Sequence, residues 1–218
     1  MSPDTPRPLR ADAERNRRLI MSTAARMFAR RGSAVTLNEI AREAGLGVAT
    51  VYRRFPDLQT LFDALFVERF TVFLGLATAA AERPDAGQAL RHYLLEAARW
   101  RAEDQALEVI LAHADLEAGP VGRLRDELGE QVAGLAGRAV AAGAVREDFA
   151  GADVYAFVYM VGAIADRTEE AAPGTWRRYA EALLIGFGLE HAPPTHTSAL
   201  SDGQLRETWP KPTPANGN

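Results

Sequence analysis

The chain has 218 residues, with 25 Lys+Arg against 29 Asp+Glu and a formal net charge of −4. That length is enough for one large or two small domains, each with a buried core. With 47% hydrophobic and 25% charged residues wholesale disorder is excluded, and with no Cys so are disulfides, thiolate metal sites, Fe–S clusters and a cysteine nucleophile. The N-terminus lacks the apolar stretch of a signal peptide. The longest strongly apolar run, Val154–Ala165, falls short of the roughly 20 residues a bilayer requires. The expectation is a cytoplasmic protein.

The charge is unevenly divided. Residues 1–60 hold 11 Arg and 6 acids, a local +5, which leaves −9 on the remainder. Such a division suggests a small polyanion-binding module on an acidic body, although scatter gives the same totals.

No period-2 alternation or hairpin turn signal occurs, and helical periodicity runs throughout. Ile20, Ala24, Met27 and Phe28 line one face of a first helix, which Gly32 stops just after Arg30-Arg31. Thr36-Leu37-Asn38-Glu39 matches a capping box. It opens a helix of about two turns whose inner face is Leu37, Ile40, Ala41 and Ala44, ended by Gly45. A third helix is expected from Gly47 to Phe55, where Pro56 stops it. Asp57 can cap a long fourth helix with the stripe Leu58, Leu61, Phe62, Leu65, Phe66, Arg69, Phe70 and Phe73. Further helices are expected at about 85–101, 103–118, 120–142, 150–166 and 174–189. The Pro-, Thr- and Ser-rich residues 191–218 are expected to be a disordered tail, and residues 1–14 a flexible basic arm.

Residues 36–55, TLNEIAREAGLGVATVYRRF, have the layout of a helix-turn-helix. In that layout a first helix supports a second, whose N-terminal residues reach base edges in the major groove. Leu37, Ile40, Ala41, Leu46, Val51 and Phe55 would pack the unit. Asn38, Val48, Ala49, Thr50, Tyr52, Arg53 and Arg54 are left outside. Val48 and Ala49 are short and apolar, able to meet a thymine methyl but not to hydrogen-bond a base edge.

Over residues 15–66 the sequence resembles the DNA-binding head of TetR/AcrR-type bacterial transcriptional regulators. The resemblance is carried by Thr36, Ile40-Ala41, Ala44-Gly45-Leu46, Thr50-Val51-Tyr52, Phe55 and the FPDLQTLFDAL that follows. More weakly, AAGAVREDFAGADV at 141–154 resembles a segment of the family's ligand-binding half. The resemblance implies an all-α fold: a three-helix head at 15–57 and a helical effector-binding and dimerisation domain at 58–190. It further implies a homodimer on a palindromic operator, a small-molecule effector that releases the DNA, and a repressor's role with no cofactor. By resemblance Thr36 and Tyr52 would meet phosphates and Asn38 a base. Val48, Ala49 and Thr50 would enter the groove, and Arg53 and Arg54 would reach phosphate or base. Many members place a phosphate-clasping Lys where this chain has Leu58.

The family's last two helices pair with those of a partner. That points to Phe157, Met160, Ile164, Trp176, Tyr179, Leu183, Leu184 and Phe187 as dimer residues, with Gly162, Ala163, Gly186 and Gly188 permitting close approach. The plain alternative is one chain's own core. Tyr93, Trp100, His113, Tyr155 and Tyr159 are the candidate effector pocket, though aromatic residues at such spacing also build cores. His92/Glu96 and His113/Glu117 are ordinary i,i+4 pairs, and no hydrolase, metalloprotease or phosphate-loop motif occurs, so neither catalysis nor a metal is expected. Two other readings remain open from sequence: a non-specific DNA-coating helical protein, and a helical small-molecule-binding protein.

Overall fold

The computed structural model describes residues 7–117, 119–189 and 199–208. Among them every regular element is a helix. They form two compact units: residues up to Val72 with Asp104–Glu127, and Phe73–Glu103 with the described residues from Leu128 onward.

The first unit is built on α1 (Arg7–Arg31), α2 (Leu37–Glu43), α3 (Val48–Arg54) and the start of α4 (Leu58–Ala81). Ile20, Ala24 and Phe28 of α1 meet Leu37, Ile40 and Ala41 of α2, Val51 and Phe55, and Leu61, Phe62, Leu65 and Phe66 of α4 in one core. The helix-turn-helix packing set is buried as its spacing predicts, with Leu46 packed partly buried at its edge. Gly45 sits at φ +66°, so the turn requires the left-handed backbone that glycine takes without strain.

This unit is larger than the 15–57 span expected for the head. It also contains α6 (Leu107–His113) and the first turns of α7 (Gly119–Ala141). Ala106, Ile110 and Val121 complete its core. Polar bonds tie α6 to α4 at both ends. Arg69 Nε donates to Asp104 Oδ2 at 2.7 Å, Gln59 Nε2 donates to the His113 carbonyl at 2.9 Å, and the Asp115 N–H donates to Asp63 at 3.0 Å.

Two termini differ from expectation. The arm expected flexible over 1–14 is helical from Arg7. Pro8 in a first turn costs no hydrogen bond, and an Asp12–Arg15 ion pair of 2.9 Å supports the next turn. In the expected disordered tail, α10 (Asp202–Thr208) forms instead. Ser201 and Gln204 make a reciprocal capping box, and Gln204 Nε2 reaches the Ala171 carbonyl at 3.3 Å. The remainder of both expectations, residues 1–6, 191–198 and 209–218, lies outside the described residues.

The second unit packs α5 (Ala86–Glu103) against α8 (Gly151–Thr168), and α8 against α9 (Trp176–Gly186). Leu90, Tyr93, Leu94, Leu135, Ala139, Val154, Val161 and Ala180 are buried in it. So are Phe157, Trp176, Leu184 and Phe187, four of the eight residues expected at a dimer interface. α8 and α9 each have two apolar sides, and the side carrying Phe157 on α8 and Trp176 and Leu184 on α9 faces inward, where Phe187 meets Phe149 edge-on at 5.1 Å.

α4 is the one described helix long and apolar enough to cross a membrane by length and composition. Its Leu61, Phe62, Leu65 and Phe66 are instead buried in the head core, and Arg69 within it is ion-paired.

Candidate nucleic-acid interface

The head presents α3 with one face in the core and one in solvent. Val51 is fully buried and Phe55 nearly so, which anchors the helix. Val48, Ala49, Tyr52, Arg53 and Arg54 are exposed, Thr50 is half-buried, and Asn38 and Thr36 are exposed on and beside α2. All eight residues expected to meet DNA therefore lie at or near the surface of one unit.

Ion pairing distinguishes the arginines of this unit. Arg30 lies 3.7 Å from Glu43, Arg31 2.7 Å from Glu39 and Arg15 2.9 Å from Asp12. Arg17 lies over the Phe55 ring and against Met21 Sδ. Among the described residues no carboxylate comes within ion-pair distance of Arg18, Arg42, Arg53 or Arg54. Two of these four sit side by side at the end of α3 and form a cationic surface without its own counter-charge. A polyanion can neutralise such a surface at no cost in broken salt bridges.

Thr36 has a different status from the other contact residues. Its hydroxyl accepts from the Glu39 N–H at 3.3 Å and donates to Glu39 Oε2 at 2.9 Å, while the Thr36 N–H donates to the same carboxylate at 2.8 Å. The hydroxyl proton is thus committed to the capping box, and phosphate, which only accepts, has to compete for it. Hydrogen bonds from Arg31 and from Thr36 hold the Glu39 carboxyl at a pKa of about 2, well below the usual range. Leu58 is half-buried against the head core, so the chain uses this position for packing. Asp57 beside it caps α4, accepting from the Thr60 N–H at 2.7 Å, and that bond lowers its carboxyl pKa.

The second unit has an exposed apolar surface on α8 and α9. Tyr159 is 63% and Ile185 58% exposed, with Tyr155, Met160 and Tyr179 also outward. Tyr159, Met160, Ile164, Tyr179 and Leu183 line an open groove of about 490 Å³, together with the buried Val161 and the small, exposed Ala163 and Ala182. The groove therefore holds four of the expected dimer residues, Met160, Ile164, Tyr179 and Leu183. Tyr159 lines the same groove and was not among the expected dimer residues; Ile185, exposed on α9, does not line it. The sequence left open whether these residues meet a partner or the chain's own core, and they divide between the two sides of α8 and α9.

The five candidate effector residues are not brought together. Tyr93 is buried in the second unit, and burial together with neighbouring Tyr155 raises its phenol pKa. Trp100 lies edge-on to Phe73 at 5.6 Å, and Tyr159 faces the groove. His113 belongs to the first unit, stacked on Phe62 at 4.8 Å with Nδ1 2.8 Å from the Val109 carbonyl. A single His seven residues into a short helix carries no sequence mark of which core it joins.

This head is that of a helix-turn-helix DNA-binding regulator. Residues 20–65 match the model of bacterial regulatory proteins of the tetR family, and residues 85–187 that of the SbtR-like transcriptional regulator C-terminal domain. The chain belongs to the TetR family. It is 28% identical to a solved TetR regulatory protein from Mycobacterium vanbaalenii, over 83% of this chain and 99% of that one, with a TM-score of 0.55. A TetR regulator from Streptomyces coelicolor is 26% identical, over 79% of this chain and 98% of that one, with a TM-score of 0.53. The TetR regulator PfmR of Thermus thermophilus shares the fold at a TM-score of 0.64 and 23% identity, over 79% of this chain and 99% of that one. No curated protein sequence matches the chain.

Proposed function

We propose that this TetR-family regulator is a one-component cytoplasmic repressor that binds a palindromic operator as a homodimer and leaves it when a small molecule binds. The observation that carries this reading is the outward face of α3, where Tyr52, Arg53 and Arg54 stand exposed and without carboxylate partners. Tyr52 contacts a phosphate, Arg53 and Arg54 reach phosphate or base, Asn38 reaches a base edge, and the start of α3 enters the major groove.

A palindrome calls for two recognition helices about 34–36 Å apart, one per half-site. A second copy of the chain supplies the other. The apolar groove of α8 and α9 is the surface that would be covered in that dimer, since an exposed face carrying three tyrosines, Met160 and Ile185 gains by burial. The effector is assigned to the second unit, where Tyr93 and Tyr155 lie near each other. It acts by binding one separation of the two heads better than the other. A hundredfold loss of DNA affinity needs about 2.7 kcal/mol of such preference.

The test is fluorescence anisotropy of the protein with DNA tiled across its own upstream region, at two salt concentrations and with scrambled competitor. The reading expects one palindromic fragment to be bound about 10³-fold tighter than the rest. Weak binding, equal on every fragment and abolished by salt, would replace it with a non-specific coating protein.

A further inference from the structure

In the head, Leu19, Val48 and Tyr52 are the only large apolar side chains exposed among the described residues, and two of them share α3. Val48 and Tyr52 are one helical turn apart, as are Ala49 and Arg53, so four residues form one outward strip. Tyr52 has a hydroxyl for water or phosphate. Val48 has nothing polar, is 47% exposed, and takes no part in the head core. A β-branched residue is also a poor opener for a seven-residue helix, so neither packing nor propensity accounts for it.

Gly47 before it is a second, independent observation. Its φ of −62° and ψ of 136° suit any residue, and a Cβ added there would meet only Thr50 Oγ1, at an ordinary 3.8 Å. It is the N-cap of α3, where Ser, Asn or Asp would add a side-chain hydrogen bond that the glycine does not make. The fold leaves room for a side chain and the chain declines it. Gly47, Val48 and Ala49 therefore give α3 a leading edge that is thin and wholly apolar, with Arg53 and Arg54 behind it.

Resting on the DNA-binding reading above, the geometry points to a specific partner for that edge. In the major groove the one apolar group that projects from a base edge is the C5-methyl of thymine. Val48 set against a guanine or cytosine edge would strip water from hydrogen-bonding groups and return nothing. Set against a thymine methyl, it removes two apolar surfaces from water. We propose that Val48, flanked by Ala49, reads the C5-methyl of one thymine in each half-site, and that the bare Gly47 lets the helix seat deeply enough to reach it. What is read is the methyl group rather than thymine as a base, so 5-methylcytosine, which carries its methyl at the same edge, substitutes for it.

The experiment begins with the fragment selected in the anisotropy assay. Each thymine is replaced singly by deoxyuridine, which removes only the methyl. One position per half-site is expected to weaken binding about fourfold, the worth of burying one methyl, and both together about fifteenfold. Val48→Ala, a change at an exposed position, should keep wild-type far-UV circular dichroism and bind the thymine and deoxyuridine operators within about twofold of each other. Loss of that difference separates contact by Val48 from an effect of the methyl on DNA shape. At the sensitive position a C·G pair should bind weakly, and a 5-methylcytosine·G pair should recover most of the loss. If every thymine tolerates deoxyuridine within twofold while the fragment is still specifically bound, the methyl readout is wrong and the regulator reading stands. If deoxyuridine weakens binding equally for wild type and Val48→Ala, Val48 is not the reader. If no fragment is preferred at all, both readings fall.

Discussion

Arg101 on α5 and Asp166 on α8 form the most enclosed ion pair of the second unit, and its worth can be worked through. Arg101 Nη1 and Nη2 donate to the two carboxylate oxygens at 3.1 and 2.5 Å, with the arginine side chain 5% and the aspartate 26% exposed. Asp166→Asn keeps the shape and one acceptor but removes the negative charge, leaving the guanidinium buried without its carboxylate. Breaking a fully buried pair in this way costs about 3–5 kcal/mol, and the partial exposure of Asp166 argues for the lower end. Asp166 also lies in the last turn of α8, where losing a negative charge returns about 0.3–1 kcal/mol. The net expectation is about 2 kcal/mol. For a chain of this length that lowers the melting midpoint by about 4–8 °C.

Gly162→Ala attacks the same contact from the other side. A Cβ there would lie 2.6 Å from Arg101 Cζ and 2.8 Å from its Cγ, so the guanidinium must move away from Asp166. The substitution gains about 1 kcal/mol of helix propensity, less than the pair is worth, so it too should destabilise. The two effects should be strongly non-additive because they remove one interaction. Arg101→Met with Asp166→Leu should recover most of the loss, since apolar residues of similar size replace buried ion pairs well. Calorimetry at one fixed protein concentration is the assay, so that any self-association weighs equally on every midpoint. A midpoint for Asp166→Asn within 1 °C of wild type, or simple additivity with Gly162→Ala, would show that the pair contributes nothing to holding α5 on α8.

Other outcomes follow from the head and the groove. Arg53→Ala should weaken operator binding and lower the slope of log K against log salt by about one for each phosphate that the arginine neutralises, and an unchanged slope would mean that Arg53 meets no phosphate. Glu39→Gln should preserve the capping box, since glutamine also fits it, and tighten DNA binding by releasing Arg31 and removing an anion beside the phosphates; weaker binding in gel-shift titrations would reverse that assignment. The Glu39 carboxyl has a folded pKa of about 2 against an ordinary 4.5, so its contribution to head stability is complete above about pH 4.5 and disappears as pH falls towards 2. NMR titration of that carboxyl tests it, and a midpoint near 4.5 would mean that the Thr36–Arg31 cage is not formed in solution. Ile185→Glu, on the exposed face of α9, should yield a folded monomer by analytical ultracentrifugation with operator affinity reduced at least tenfold; a dimer of wild-type strength would place the interface elsewhere.

The head was legible because local and global signals coincide there. The capping box at Thr36 and the turn at Gly45 act within a few residues, and the buried set Leu37, Ile40, Ala41, Val51 and Phe55 shows the spacing of short amphipathic helices. Side-chain exposure on α3 follows directly from that spacing. The second unit was less legible because α8 is apolar on most of its circumference. Phe157 and Met160 are three residues apart, yet one is fully buried and the other faces the groove. Only the positions of α5 and α9 decide between them. The tail helix was missed for another reason: Ser201 and Gln204 form a capping box in a stretch whose composition alone suggests disorder.

The composition of the head core bears on how a signal could reach α3. The chain does not complete that core with α1–α4 alone; Ala106, Ile110 and Val121, from the segment between α5 and the middle of α7, are part of it. The same segment is held by directional bonds at Arg69–Asp104, Gln59–His113 and Asp63–Asp115, all made to α4. α4 in turn carries Leu61, Phe62, Leu65 and Phe66 into contact with the residues that support α3. A shift of α6 along its axis would either break these three bonds or carry α4 with it. Arg69–Asp104 is largely shielded from water, so breaking it leaves a charge poorly solvated, and moving as one body keeps all three bonds. On this reasoning α6 and the start of α4 move together in any effector response, and Gln59→Ala with Asp63→Ala should weaken the coupling between effector and operator while leaving operator affinity without effector within about threefold. A double variant that responds to effector as wild type does would place the transmission outside the α4–α6 bonds.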